Sequence, residues 1–253
     1  MGAITPIAWC DATFNPRVGC LRVSTACDRC YAAALSWRYG WRDGKGRDLW
    51  DTGADRKRTS SAYWRGPVRW NERAQAEGTR RRVFCASMAD VFDNKAPTSW
   101  RVALWSLIRA TPAFDWFLLT KRPQNIGDML PTDWAAAGRT SGLAPRRKTK
   151  TKRIPAFRTL SRSRLRSGLL SVEPMVETVD VAPWLVRPSH DTRAPISWII
   201  VGGETGGARP MHPDWLRGLR DQVHAAGAKL FVNQIGSNHA LWPSVTGKGE
   251  DPA

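Results

Sequence analysis

The chain has 253 residues, 42% of them hydrophobic, and a formal net charge of +17. That length suits one α/β domain with a sizeable core. No run approaches the 18 apolar residues of a membrane span, so no membrane partner is expected. Five cysteines clustered toward the front, with no basic N-terminal region leading into an apolar stretch, argue against a disulfide-stapled secreted scaffold and for a reducing cytosol. The charge is concentrated: residues 135–168 carry +11 and no acid, leaving +6 for the rest.

In chain order, Cys20, Cys27 and Cys30 come first, three soft thiols within eleven residues. Residues 40–75 follow, with Trp41, Trp50, Tyr63, Trp64 and Trp70 among many arginines and lysines. Such a mixture stacks bases and holds phosphates; the plainer reading is a helical excursion whose tryptophans pack on the core. Apolar runs then predict strands at 83–87, 116–120, 168–172, 198–202 and 229–233. Between them the spacing predicts amphipathic helices over 98–110 and 213–226 and a short helix near 123–130. Strands alternating with helices imply an α/β fold with a parallel sheet. A full or partial (β/α) barrel is the leading architecture and a doubly wound sheet the alternative.

Each predicted strand ends in polar residues, and parallel folds work at the C-terminal ends of their strands. Met88-Ala89-Asp90 follows the first, Lys121-Arg122 the second, Glu173 the third, Gly202-Gly203-Glu204 the fourth and Gln234 the fifth. The glycines let backbone approach a ligand closely, and Glu204 or Glu173 suits an amine or ribose hydroxyl. Asp90 and Lys121 suit a substrate or cofactor carboxylate. Structural salt bridges are the competing reading for each. Cys85 reads as a buried apolar thiol and His212 as a loop histidine.

Three thiolates fit a [4Fe–4S] cluster with one open iron; Cys10 as a fourth would make a closed zinc site. The wider pattern carries a resemblance. Trp9 to Cys20, Cys27-Asp28-Arg29-Cys30-Tyr31, Phe84 to Phe92, Leu119 to Pro123, Ser171 to Pro174 and Val201 to Gly206 resemble a three-cysteine family of phage and bacterial proteins of unknown function. That family is itself similar to radical-SAM enzymes and distantly to spore photoproduct lyase. The resemblance implies one radical-SAM-like domain over 1–253, built as a partial (β/α) barrel. It implies a [4Fe–4S] cluster on Cys20, Cys27 and Cys30, with S-adenosylmethionine as cofactor and a flavodoxin or ferredoxin as electron donor. Tyr31 would pack over the cluster or adenine, or simply start a helix. Asp90, Lys121, Glu173, Gly202, Gly203 and Glu204 would complete the cofactor site. The activity implied is radical chemistry on a nucleic acid or nucleotide; the alternative is a non-catalytic, zinc-stabilised nucleic-acid-binding protein. The gap of six residues between Cys20 and Cys27 departs from the usual radical-SAM spacing of three.

Residues 135–168 break the pattern. They show no apolar period, and where the family has a strand of the type Asn-Val-Trp-Leu-Gly this chain is rich in Arg, Lys and Ser. Codons exist for 135–153 whose reading two nucleotides later gives Asn-Val-Trp-Leu-Gly at that place. The segment is therefore expected to be an out-of-frame, disordered stretch that disrupts one βα unit; a genuine basic insertion is the alternative. Residues 242–253 stop as though the segment continued.

Overall fold

Phe114, Trp116 and Leu118 alternate with Phe117 and Leu119, and the alternation divides two buried layers. Both faces of such a strand need cover, which a parallel sheet provides. The computed structural model describes residues 4–134, 143–145, 168–185, 196–204 and 209–236.

A first parallel sheet has the order β1-β4-β5-β6, from β1 (Ala12–Phe14), β4 (Arg81–Cys85), β5 (Phe114–Thr120) and β6 (Leu143–Pro145). A second has the order β7-β8-β9, from β7 (Gly168–Val172), β8 (Ile196–Gly202) and β9 (Lys229–Gln234), also parallel. The two-residue strands β2 (Arg17–Val18) and β3 (Lys57–Arg58) pair antiparallel as a small ribbon.

The helices are α1 (Tyr31–Arg38), α2 (Ser61–Trp64), α3 (Gly66–Ala76), α4 (Thr98–Arg109), α5 (Ile126–Met129), α6 (Ala182–Leu185) and α7 (Pro213–Ala225). Leu104, Leu107 and Ile108 of α4, and Leu216, Leu219 and Val223 of α7, recur at helical spacing and bury one face of each helix on the outer layer of the sheets. His212 caps α7: its Nδ1 accepts from the Asp214 amide at 3.2 Å, and Pro213 fills the first turn. Gly227, at φ 67°, lets the chain turn out of that helix. The inner layer joins Trp9, Phe84 and Phe117 to Leu169, Trp198 and Ile200, so both sheets share one apolar floor.

The expected partial barrel is corrected. The fold is α/β, but the sheets are open, and among the described residues no ladder joins β6 to β7 or β9 to β1. The edge strands β1 and β6 of the first sheet have three residues each. Each is paired along its length on one side only, and so ends the ladder of the first sheet. The proposed out-of-frame stretch lies mostly outside the described residues; within it, Leu143–Pro145 form β6 and Gly168 opens β7. Residues 242–253 also lie outside them. Among the described residues, no helix is long and apolar enough to cross a membrane.

Candidate functional site

The strand ends open onto two adjoining cavities. The inner one, about 60 Å³, is lined by Cys20, Cys27, Cys30, Asp90, Lys121 and Arg122, among others. The outer one, about 650 Å³, is walled by Trp9, Tyr31, Tyr39, Trp41 and Phe84 and rimmed by Glu173, Gly203, Glu204, Asn233 and Gln234. Tyr31, Phe84 and Ser87 line both, so the cavities are one cleft.

Asn15, buried at the end of β1, ties the first walls together. Its Oδ1 accepts from the Met88 amide at 2.8 Å and its Nδ2 donates to Ser87 Oγ at 3.0 Å. Beside it, Ala86 takes a left-handed backbone (φ 63°), a conformation usually left to glycine. Tyr31 starts α1 and donates from its hydroxyl to the Ser87 carbonyl at 2.6 Å, which docks the helix over the cleft.

Beneath the inner cavity lies a buried ion network. Asp90 Oδ1 accepts from Thr120 Oγ1 at 2.7 Å and from the Phe92 amide at 3.0 Å. Its Oδ2 accepts from the Lys121 amide and from Arg122 Nη1, each at 3.0 Å. Asp93 takes Arg56 Nε at 2.7 Å and stands 3.7 Å from Arg17, which also donates to the Asp90 carbonyl. Arg122 reaches on to the Leu21 carbonyl at 2.7 Å and Cys20 Sγ at 3.6 Å. Asp90 thus fixes Arg122, and Arg122 fixes the cysteine loop. Burial works against the Arg122 cation, but Asp90, Cys20 and Asp93 outweigh it and hold the guanidinium charged.

The thiols differ. Burial and the neighbouring Asp90 push Cys20 up. Burial also works against the Cys27 thiolate, but the Lys121 charge and hydrogen bonds from Val23 and Ser24 bring its pKa below that of an ordinary thiol. Burial pushes Cys10 up to about 12 and raises Cys85 as well. Cys85 is buried in β4.

The metal assignment is corrected on geometry. Although Cys20, Cys27 and Cys30 line one cavity, no group of three or more His, Cys, Asp or Glu side chains among the described residues is placed to hold a metal ion. The thiols turn to their neighbours instead: Cys20 toward the Leu21 carbonyl and Arg122, Cys27 toward Ser24 Oγ at 3.7 Å. The [4Fe–4S] cluster, the S-adenosylmethionine cofactor it would bind and the zinc alternative all lose their basis. With the barrel also absent, so do the radical-SAM enzyme and iron–sulfur assignments.

The second sheet supplies the opposite rim. Glu204 is buried, and Arg209 grips both its carboxylate oxygens; Arg29 lies 4.0 Å away. The Arg209 hydrogen bonds hold the Glu204 carboxyl below the usual carboxylate range. Arg209 also donates to the Thr25 carbonyl at 3.1 Å, so Glu204 clamps the end of β8 to the cysteine loop rather than facing a ligand. Glu173 keeps acceptor capacity: Oε1 takes Asn233 Nδ2 at 2.8 Å, and Oε2 lies 3.4 Å from Ser171 Oγ. A Cβ at Gly202 would meet Glu173 Oε1 at 2.5 Å, and one at Gly203 would meet the Ile235 carbonyl at 3.1 Å. These glycines make room for the Glu173 carboxylate and for β9.

Of the sequence-predicted residues, the three cysteines, Tyr31, Asp90, Lys121, Glu173, Gly203 and Glu204 line one cleft, whereas Gly202 does not line it and packs against Glu173. Sequence reasoning gave Asn15, Trp9 and Asn233 no role there and named Arg122 only as a strand-end residue beside Lys121; the density of residues around Asn15 and Arg122 in the family-like motifs was the available signal.

A family model described as "Protein of unknown function (DUF5131)" matches residues 4–249. It replaces the radical-SAM-like assignment with a family to which no activity is attached. No curated protein and no solved structure matches the chain.

Proposed function

Because the chain belongs to the DUF5131 family of proteins of unknown function, we propose its role from the cleft itself: it binds a nucleotide unit through an amino-bearing base. The observation that carries this reading is the continuity of the two cavities through Tyr31, Phe84 and Ser87. The outer cavity falls in the size range of small-molecule sites. Tyr39 and Trp41 stack at 5.6 Å with 24° between their planes, a two-ring platform for a base. Glu173, a carboxylate with acceptor capacity on the rim, recognises an exocyclic amine as in cytosine or adenine. The inner cavity, about 60 Å³ against about 650 Å³ for the outer one, fits a small anionic group beside Lys121 rather than a ring.

Calorimetric titration with nucleoside monophosphates tests the reading. Saturable binding is expected, with Trp41→Ala weakening it about tenfold, in line with loss of one stacking contact. No binding of any monophosphate at millimolar concentration overturns it.

A further inference from the structure

Trp41 has a second face on the molecule. It lines the cleft, and it also lines a groove of about 420 Å³ with Lys57, Arg58, Thr59, Ser60 and Tyr63. The ribbon that forms this groove sorts its cations: Arg17 on β2 is buried, whereas Lys57 and Arg58 on β3 are both exposed.

The exposed arginines of the described surface divide. Arg22, Arg29, Arg80, Arg109, Arg217 and Arg220 each meet a carboxylate, whereas Arg38, Arg58, Arg65, Arg69 and Arg73 meet none among the described residues. Lys57 and Arg58 have no carboxylate partner among the described residues; Arg58 lies over the Trp64 ring, 4.2 Å from its centroid. Arg65, directly after Trp64, begins a stripe with Arg69 and Arg73 at helical spacing along α3. The rings beside these cations are Trp41 and Tyr63 in the groove and Trp64 under Arg58, while Tyr31 (42% exposed) and Tyr39 (62%) line the adjoining cleft. Rings beside unpaired cations are what a flexible polynucleotide uses, bases stacking and phosphates meeting charge.

We infer that the partner is a single-stranded polynucleotide. Its backbone crosses Lys57 and Arg58, and one of its nucleotides enters the cleft past Trp41. The inference rests on the cleft reading above and names the source of the nucleotide as a strand rather than a free monomer. A duplex fits less well, because its bases are stacked inside and cannot reach the rings or the cleft.

The test compares the wild-type chain with K57E/R58E against a twelve-nucleotide single strand of mixed sequence, as DNA and as RNA, the matching duplex, and CMP. The single strand is expected to bind at least tenfold tighter than CMP. In K57E/R58E that advantage shrinks about tenfold, and the salt dependence of single-strand binding falls by about 1.4, two phosphate contacts at roughly 0.7 each. CMP affinity stays unchanged. The DNA and RNA arms show which sugar the groove prefers. Unaltered single-strand binding in K57E/R58E, or equal binding of duplex, overturns the inference. If CMP binds but the single strand binds no tighter, the strand path falls and the cleft reading stands. If the strand binds through Lys57 and Arg58 while CMP and the other monophosphates do not bind, the cleft reading falls and the entry of a nucleotide falls with it. Should K57E/R58E fold poorly, K57Q/R58Q removes the charges without reversal and reads the same shift at reduced size.

Discussion

Arg56 and Arg58 stand two residues apart, yet one is sealed against Asp93 at 2.7 Å and the other lies over Trp64 in contact with solvent. The difference separates two uses of positive charge in one small region. Below the cleft, Arg17, Arg56 and Arg122 are buried with Asp90 and Asp93, and their work is to hold the cysteine loop and the strand ends in place. Beside the cleft, Lys57 and Arg58 are exposed and have no carboxylate partner among the described residues. A buried cation needs its partner continuously, whereas an exposed one costs little to leave open.

The largest expected effect lies in the buried set. Asp93→Ala removes the carboxylate facing both Arg56 and Arg17 and should cost about 3–5 kcal/mol, because it strands buried charge. Chemical denaturation measures it; a loss below about 1 kcal/mol would mean the network is not a unit. Acid probes the same set. Burial works against the Asp93 carboxylate, but its bonds to Arg56 and the nearby Arg122 outweigh this and hold its pKa low, as Arg209 does for Glu204. A depressed folded pKa gives stability that is full above the unfolded value, near 4, and is lost as pH falls through the folded value. The melting temperature should therefore hold steady from pH 7 to about 5 and drop below about 4. A decline already complete by pH 6 would contradict that sign.

The thiols sharpen the contrast on a smaller scale. Cys20 is raised by burial and Asp90, whereas Cys27 is lowered by Lys121 and local hydrogen bonds. Iodoacetamide at pH 8 should label Cys27 several-fold faster than Cys20, and Lys121→Met should slow Cys27, as peptide mass spectrometry would read. Equal rates would refute the assignment. The smallest effect belongs to the exposed pair. K57E/R58E should change folding stability by no more than about 0.5 kcal/mol, as surface substitutions do, so any binding loss belongs to the groove.

Much of this site was legible in the sequence, and the reasons are local. Lys121, Glu173 and Gly202-Gly203-Glu204 follow apolar strands, and parallel topology brings strand ends to one edge regardless of the exact sheet. What those residues do there was less legible. Asp90 and Glu204 look like ligands for a small molecule, but arginines consume them: Arg122, 32 residues on, takes Asp90, and Arg209, 5 residues on, takes Glu204. Arg17 and Arg56 gave no hint of burial, because arginine is rarely buried and only the three-dimensional fold brings Asp93 to them. The three cysteines show the limit most clearly. Their spacing suggested a shared metal, but side-chain direction decides coordination, and spacing does not report direction. Sheet closure was likewise beyond reach, since it depends on what pairs with edge strands such as β1.

The most direct test of the cleft is a paired titration of CMP and UMP into the wild-type chain and Glu173→Gln. The Glu173 carboxylate accepts from an amine but has no donor for the carbonyl of uracil. CMP should therefore bind about tenfold tighter than UMP, and Glu173→Gln should erase the preference while the melting temperature stays within a few degrees. Equal affinities in the wild type, or a preference that survives the substitution, would contradict the account.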